Sequence, residues 1–143
     1  MGFLIIYISK PNIMDTLKYT LNDIQPNVFE TIVFKNENNE DCISGYRINY
    51  NISQLDNGVW QYYTLELSTV MYDYIKGDRD KIYECIISKI VRQRYPDNDM
   101  TAIISNYLAE PDNDKYINEF LEVQNWRKVA KTVAKYVVDN EII

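Results

Sequence analysis

The sequence predicts an α+β fold: an N-terminal antiparallel sheet of three or four strands with one early short helix, followed by three C-terminal helices packed on it. Three observations lead there. Apolar residues alternate with a period of two up to about Leu67, then recur with a period of about 3.6 from Gly77 onward. Asp56-Asn57-Gly58 interrupts the alternating part with a strong hairpin signal, because Asn-Gly readily supplies positive φ. A length of 143 residues with no linker suits a single domain over 1–143, strand-rich over 1–67 and helical over 79–139.

Each element has its own local reason. Phe3-Leu4-Ile5-Ile6-Tyr7-Ile8 is continuously apolar and ends at Lys10-Pro11-Asn12, the pattern of a strand buried on both faces. Asn12 is placed to cap a short helix with Ile13, Leu17, Leu21 and Ile24 at helical spacing, stopped by Gln25-Pro26-Asn27. Val28 to Phe34 is the next strand, and Asn36 to Asp41 a polar turn. From Cys42 to Ile52, Tyr46, Ile48, Tyr50 and Ile52 fall on one face and Arg47, Asn49 and Asn51 on the other. Val59 to Leu67 pairs back across the Asn-Gly turn. Asp78 or Asp80 caps a helix near 79–94 with Ile82, Ile86, Ile87 and Ile90 on one face, ending at Tyr95-Pro96. A second helix near 98–109 carries Met100, Ile103, Ile104 and Leu108. A third, near 114–138, carries Ile117, Phe120, Leu121, Trp126, Val129, Ala130, Val133 and Val137.

Composition excludes several chemistries. The absence of histidine removes His-containing zinc sites, Ser-His-Asp triads and imidazole bases. Cys42 and Cys85 cannot build a Cys₄ site, and without a signal sequence they read as reduced, buried, small apolar side chains. Four glycines, in neither a GxGxxG nor a GxxxxGK[ST] pattern, leave no phosphate loop. A net charge of −6 weighs against nucleic acid and against anionic membranes. No run approaches the roughly 18 apolar residues of a membrane span. Met1 to Ile8 lacks the basic start and cleavage site of a signal peptide. Ile 19, Asn 15, Tyr 13 and Lys 10 dominate while Ala appears only four times, which points to an AT-rich genome.

The remaining candidates are surfaces. Pro96-Asp97-Asn98-Asp99 recurs as Pro111-Asp112-Asn113-Asp114, but calcium loops need a glycine at position six and an acid at position twelve. Both copies therefore read as helix starts, and no metal or other cofactor is implied. Glu66, Asp73, Asp78, Asp80 and Glu84 lie in polar sequence, where carboxylates stay ionised and exposed rather than tuned for catalysis. No enzyme activity or small-molecule substrate is expected. Tyrosine crowds the hairpin, and strand alternation sends Trp60 and Tyr62 to one face and Tyr63 to the other. Arg47, Trp60, Tyr62 and Tyr63 are the first candidates for a protein interface or a self-association surface. Arg127, Lys128, Lys131 and Lys135 form a basic stripe on the last helix, the second candidate patch, suited to an acidic partner.

One resemblance adds context. The pattern runs Ile86-Ile87, Ile90, Arg94-Tyr95-Pro96, then Met100, Ala102-Ile103 and Asn106-Tyr107-Leu108. It closes with Glu119-Phe120, Gln124, Trp126-Arg127, Ala130-Lys131 and Ala134, and Trp60-Gln61-Tyr62-Tyr63 precedes it. Over residues 60–138 this resembles a group of short proteins of tailed phages and prophages, often encoded beside tail or tail-fibre genes. The resemblance implies a phage or prophage setting and no enzyme activity. The expectation is a virion-associated or tail-assembly accessory protein, located in the host bacterial cytoplasm or the virion. The alternative is a small acidic anti-defence inhibitor, of anti-CRISPR or anti-restriction type, that occupies a host nuclease or sensor.

Overall fold

The computed structural model describes residues 17–20 and 23–143. Among these, four strands form one antiparallel sheet: β1 (Leu17–Tyr19), β2 (Phe29–Lys35), β3 (Asp41–Gln54) and β4 (Trp60–Ser68), in the order β1-β4-β3-β2. Helices follow: α1 (Thr69–Ile75), α2 (Arg79–Arg94), α3 (Asp97–Ala109) and α4 (Asp114–Asp139). The α+β architecture read from the change of period is the one observed. Two details differ. Leu17–Tyr19, expected within a helix, is a three-residue edge strand that pairs with Gln61–Tyr63. Its backbone is held by β4, and this long-range ladder outweighs a weak helical spacing. The helix α1 was not expected. Ser68 ends β4 and also caps α1, its hydroxyl accepting from the Met71 N–H at 3.0 Å. The strand predicted at Phe3 to Ile8 lies outside the described residues.

Both long hairpins close the same way. Leu55 N donates to Val59 O and Gly58 N to Leu55 O, with Gly58 at φ 86°. Asn36 N donates to Glu40 O and Asn39 N to Asn36 O, with Asn39 at φ 58°. Each is a three-residue loop ending in a left-handed residue. Asn39 takes the glycine's role because asparagine tolerates that conformation best among side-chain-bearing residues. Two bulges then bend β3. Ser44 is the extra residue opposite Ile32–Val33, and Asn51, at φ 50°, lies in the irregularity between Tyr50 and Ser53.

The core lies between one face of the sheet and helices α2 and α4. Ile48, Tyr50, Leu65 and Leu67 of the central strands meet Ile82, Ile86 and Ile90 of α2 and Trp126, Ala130, Val133, Ala134 and Val137 of α4. The four-residue spacing of Ile82, Ile86 and Ile90 in α2 keeps these three on one face. Burying each side chain contributes about 1.5–3 kcal/mol. The stripe on α4 is shifted from the one expected: Val123 is buried and Leu121 exposed, and on α3 Leu108 is exposed. α3 packs mainly on α4, Tyr107 stacking on Phe120 at 4.3 Å, and is tied to α2 by Arg92 Nε donating to Asp97 Oδ1 at 3.2 Å. Helix starts follow capping chemistry. Asp78 accepts from Lys81 N, and Asn113 accepts from Lys115 N and Tyr116 N. The two Pro-Asp-Asn-Asp segments thus both open helices, but in different registers. Pro96 stands at the first cap, and Asn113 is the cap in the second.

Candidate functional site

The sheet alternates as the sequence implies. Tyr63 faces the helices, stacked on Tyr50 at 5.6 Å and edge-on to Trp126 at 5.7 Å. Trp60, Tyr62 and Arg47 share the opposite face. All three are half-buried there. Trp60 Nε1 donates to Asp23 O at 3.1 Å, and its backbone N–H to Thr20 Oγ1 at 3.0 Å. Arg47 lies between Glu30 at 3.6 Å and Glu66 at 3.3 Å, on the neighbouring strands. Its charge is therefore answered within the sheet. Asn49 and Thr64, a cross-strand pair on the same face, are only 1% and 4% exposed. Asn49 Nδ2 donates to Asn27 O at 2.7 Å. This face is thus largely covered rather than an open aromatic sheet, and Arg47 Nε, Asn49 Oδ1 and Thr64 Oγ1 are buried on it without a hydrogen-bond partner among the described residues.

The helix-facing side holds a polar joint that sequence reasoning missed. Tyr50 Oη donates to Gln93 Oε1 at 2.6 Å, and Gln93 Nε2 donates to Thr64 O at 2.9 Å. Trp126 Nε1 donates to Ile90 O at 2.8 Å, and the Arg94 guanidinium lies 5.4 Å over its ring. Burial, reinforced by neighbouring Tyr63, pushes the Tyr50 phenol well above its ordinary range. Burial also raises Tyr95, with Arg94 opposing and Glu122 adding. Burial raises the Cys85 thiol, and Lys89 partly offsets it. Both cysteines are free and half-buried rather than fully buried. Glu66, Asp73, Asp78, Asp80 and Glu84 are all exposed. Glu66 pairs with Arg47, Asp73 with Lys76, and Asp78 caps α2, so they do not converge on one point. Among the described residues no three metal-ligating side chains come together, and no helix is long and apolar enough to cross a membrane.

The basic stripe is on the solvent side of α4. Arg127, Lys128, Lys131 and Lys135 are all exposed. Lys135 is committed to Asp139 at 2.5 Å, and Asp139 also receives Arg79 at 2.5 Å. These two hydrogen bonds, Lys135 first, hold the Asp139 carboxyl below the usual carboxylate range. Arg79 also donates to Val138 O at 3.2 Å and so caps the end of α4. Arg127, Lys128 and Lys131 enter no ion pair among the described residues. One and two turns beyond Lys128, Thr132 and Tyr136 form one wall of a groove of about 330 Å³. Val28, Ile52 and Gln25 line the facing side, with Tyr50 and Val137 also in the lining. Sequence reasoning found the cations and missed the groove. The four-residue spacing of Lys128, Thr132 and Tyr136 was the legible part, whereas Gln25 and Val28 arrive from a loop with no periodic signal. No family model matches the chain, and no curated protein or solved structure matches it. The resemblance to tail-gene-associated phage proteins therefore rests on the residues quoted for it.

Proposed function

We propose that this chain is a non-enzymatic interaction protein, of phage or prophage origin, that docks an acidic protein partner on the solvent face of α4. One observation carries the reading. In a chain of net charge −6, Arg127, Lys128 and Lys131 stand together on one helix face without ion pairs among the described residues. Unanswered like charges repel one another, and an acidic partner relieves that repulsion while gaining orientation and association rate. The adjoining groove between Tyr136 and Ile52 offers the apolar pocket that an anchoring side chain needs. Arg47 is the poorer candidate, because Glu30 and Glu66 already neutralise it. The AT-rich composition and the resemblance over residues 60–138 support the phage setting, and with it a place in virion or tail assembly.

The test is capture from infected-cell lysate with wild-type protein and with Arg127→Glu/Lys128→Glu/Lys131→Glu. The wild type should retain an acidic protein whose recovery falls with rising salt, and the triple variant should lose it while melting normally. A virion or tail protein in that fraction supports assembly, and a host nuclease or sensor moves the role to inhibition of defence. Equal capture by the triple variant, or DNA or RNA binding on this face at physiological salt, overturns the proposal.

A further inference from the structure

Away from the α4 stripe, cations gather a second time in the cleft between α1 and α2. The cleft measures about 360 Å³, a size that holds small organic ligands. One face of α2 forms its wall. Lys81, Cys85, Ser88, Lys89 and Arg92 recur there at three- and four-residue spacing, within about 60° of Cys85 around the helix. Met71, Tyr74 and the buried Ile75 of α1 supply an apolar floor. Lys89 is the informative group. It is half-buried and enters no ion pair among the described residues. A cation drawn partly out of water with no counterion costs free energy, and an anion in the cleft would recover it. Cys85, one turn before it, is not that anion. Burial holds the thiol above its ordinary range despite Lys89, so it stays neutral at pH 7.

The flanking cations are only loosely committed. Lys81 Nζ sits 4.3 Å from the Tyr74 ring centroid and 3.9 Å from Asp78 Oδ2. Arg92 meets Asp97 at 3.2 Å, with both side chains well exposed. Exposed pairs of this kind contribute little and exchange readily, so both cations are available to a ligand. Glu84 is the one acid in the lining; it is exposed and lies on the flank of that helix face. We propose that this cleft binds a small phosphate monoester with an apolar or aromatic body. The phosphate sits between Lys89 and Arg92 with the Ser88 hydroxyl donating to it, and the body rests on Met71, Tyr74 and Ile75. Three cations and a hydroxyl donor suit a dianionic head better than a single carboxylate. The apolar floor sets the site apart from one for inorganic phosphate alone. It shares no residue with the α4 stripe or the groove beside that stripe, so it stands independently of the protein-docking role.

The test is calorimetric titration of the whole chain with phenyl phosphate, inorganic phosphate, benzoate and benzyl alcohol. Phenyl phosphate should bind about tenfold or more tighter than each of the other three. Lys89→Gln should weaken it about tenfold or more, and Glu84→Gln should tighten it, with both variants melting as the wild type does. Lys131→Gln should leave it unaltered, which separates this cleft from the α4 surface. Cys85 gives a second readout. In a Cys42→Ser background, its alkylation by the uncharged reagent iodoacetamide should slow as phenyl phosphate fills the cleft, with half-protection at the calorimetric Kd. Absence of both heat and protection up to roughly 10 mM phenyl phosphate overturns the inference. So does binding that Lys89→Gln leaves unchanged, or inorganic phosphate binding as tightly as phenyl phosphate.

Discussion

Gln93 joins α2 to both central strands, and removing it tests how the helical layer is held on the sheet. Gln93→Ala strips a donor from the Thr64 carbonyl and an acceptor from the Tyr50 hydroxyl, both on residues under 5% exposed. Leaving a buried polar group unsatisfied costs about 1–3 kcal/mol, so the two together give a loss of about 2–4 kcal/mol if water reaches one of them. For a chain of this size, 1 kcal/mol lowers Tm by about 2–4 °C, so a fall of about 5–15 °C is expected. Tyr50→Phe removes one bond only and should cost about 1–2 kcal/mol. In the double variant no phenol is left unpaired. Its cost should fall short of the sum of the single losses by about 1 kcal/mol. Urea unfolding of the four proteins, followed by tryptophan fluorescence and far-UV circular dichroism with equal m-values, gives that coupling. A coupling within about 0.5 kcal/mol of zero would refute the joint, because packing alone would then account for both single losses.

Other outcomes follow from the same structure. Asp139 has a folded pKa below its unfolded value, so its contribution is present above the ordinary carboxylate range and is lost as pH falls through the folded value. Asp139→Asn should therefore flatten the acid limb of a stability-against-pH curve, measured as urea midpoints. Tyr50 and Tyr95 have raised phenol pKa values, so their contributions are complete below about pH 10 and are lost as pH rises further. In an alkaline absorbance titration these two should ionise only with loss of circular dichroism; ionisation of every tyrosine before unfolding would contradict their burial. At Gly45, an added Cβ would lie 2.7 Å from the Leu67 carbonyl oxygen, so a backbone must move. Gly45→Ala should destabilise by more than about 1 kcal/mol, read as a lower urea midpoint, and an unchanged midpoint would show that β3 and β4 have slack there.

The sequence by itself determined the order of the layers and most helix limits. Ile82, Ile86 and Ile90 repeat every four residues, and Asp78 and Asn113 are side chains that satisfy free N–H groups at helix starts, so local chemistry was enough. Alternation likewise separated Trp60 and Tyr62 from Tyr63, because successive side chains in a strand must point to opposite faces. It also made the cations of α4 legible as one stripe. Tertiary structure decided what each surface is worth. Arg47 is neutral in effect because β2 and β4 place Glu30 and Glu66 beside it, and strand order cannot be read from a strand's own residues. Gln93 became a joint only when α2 was laid across Tyr50 and Thr64, contacts 43 and 29 residues apart. Leu17–Tyr19 became a strand because β4 offered it a ladder, and β2 is an edge among the described residues because none of them follows it in the sheet. Periodicity reports the direction of a side chain, whereas pairing partners and free edges are properties of the assembled sheet.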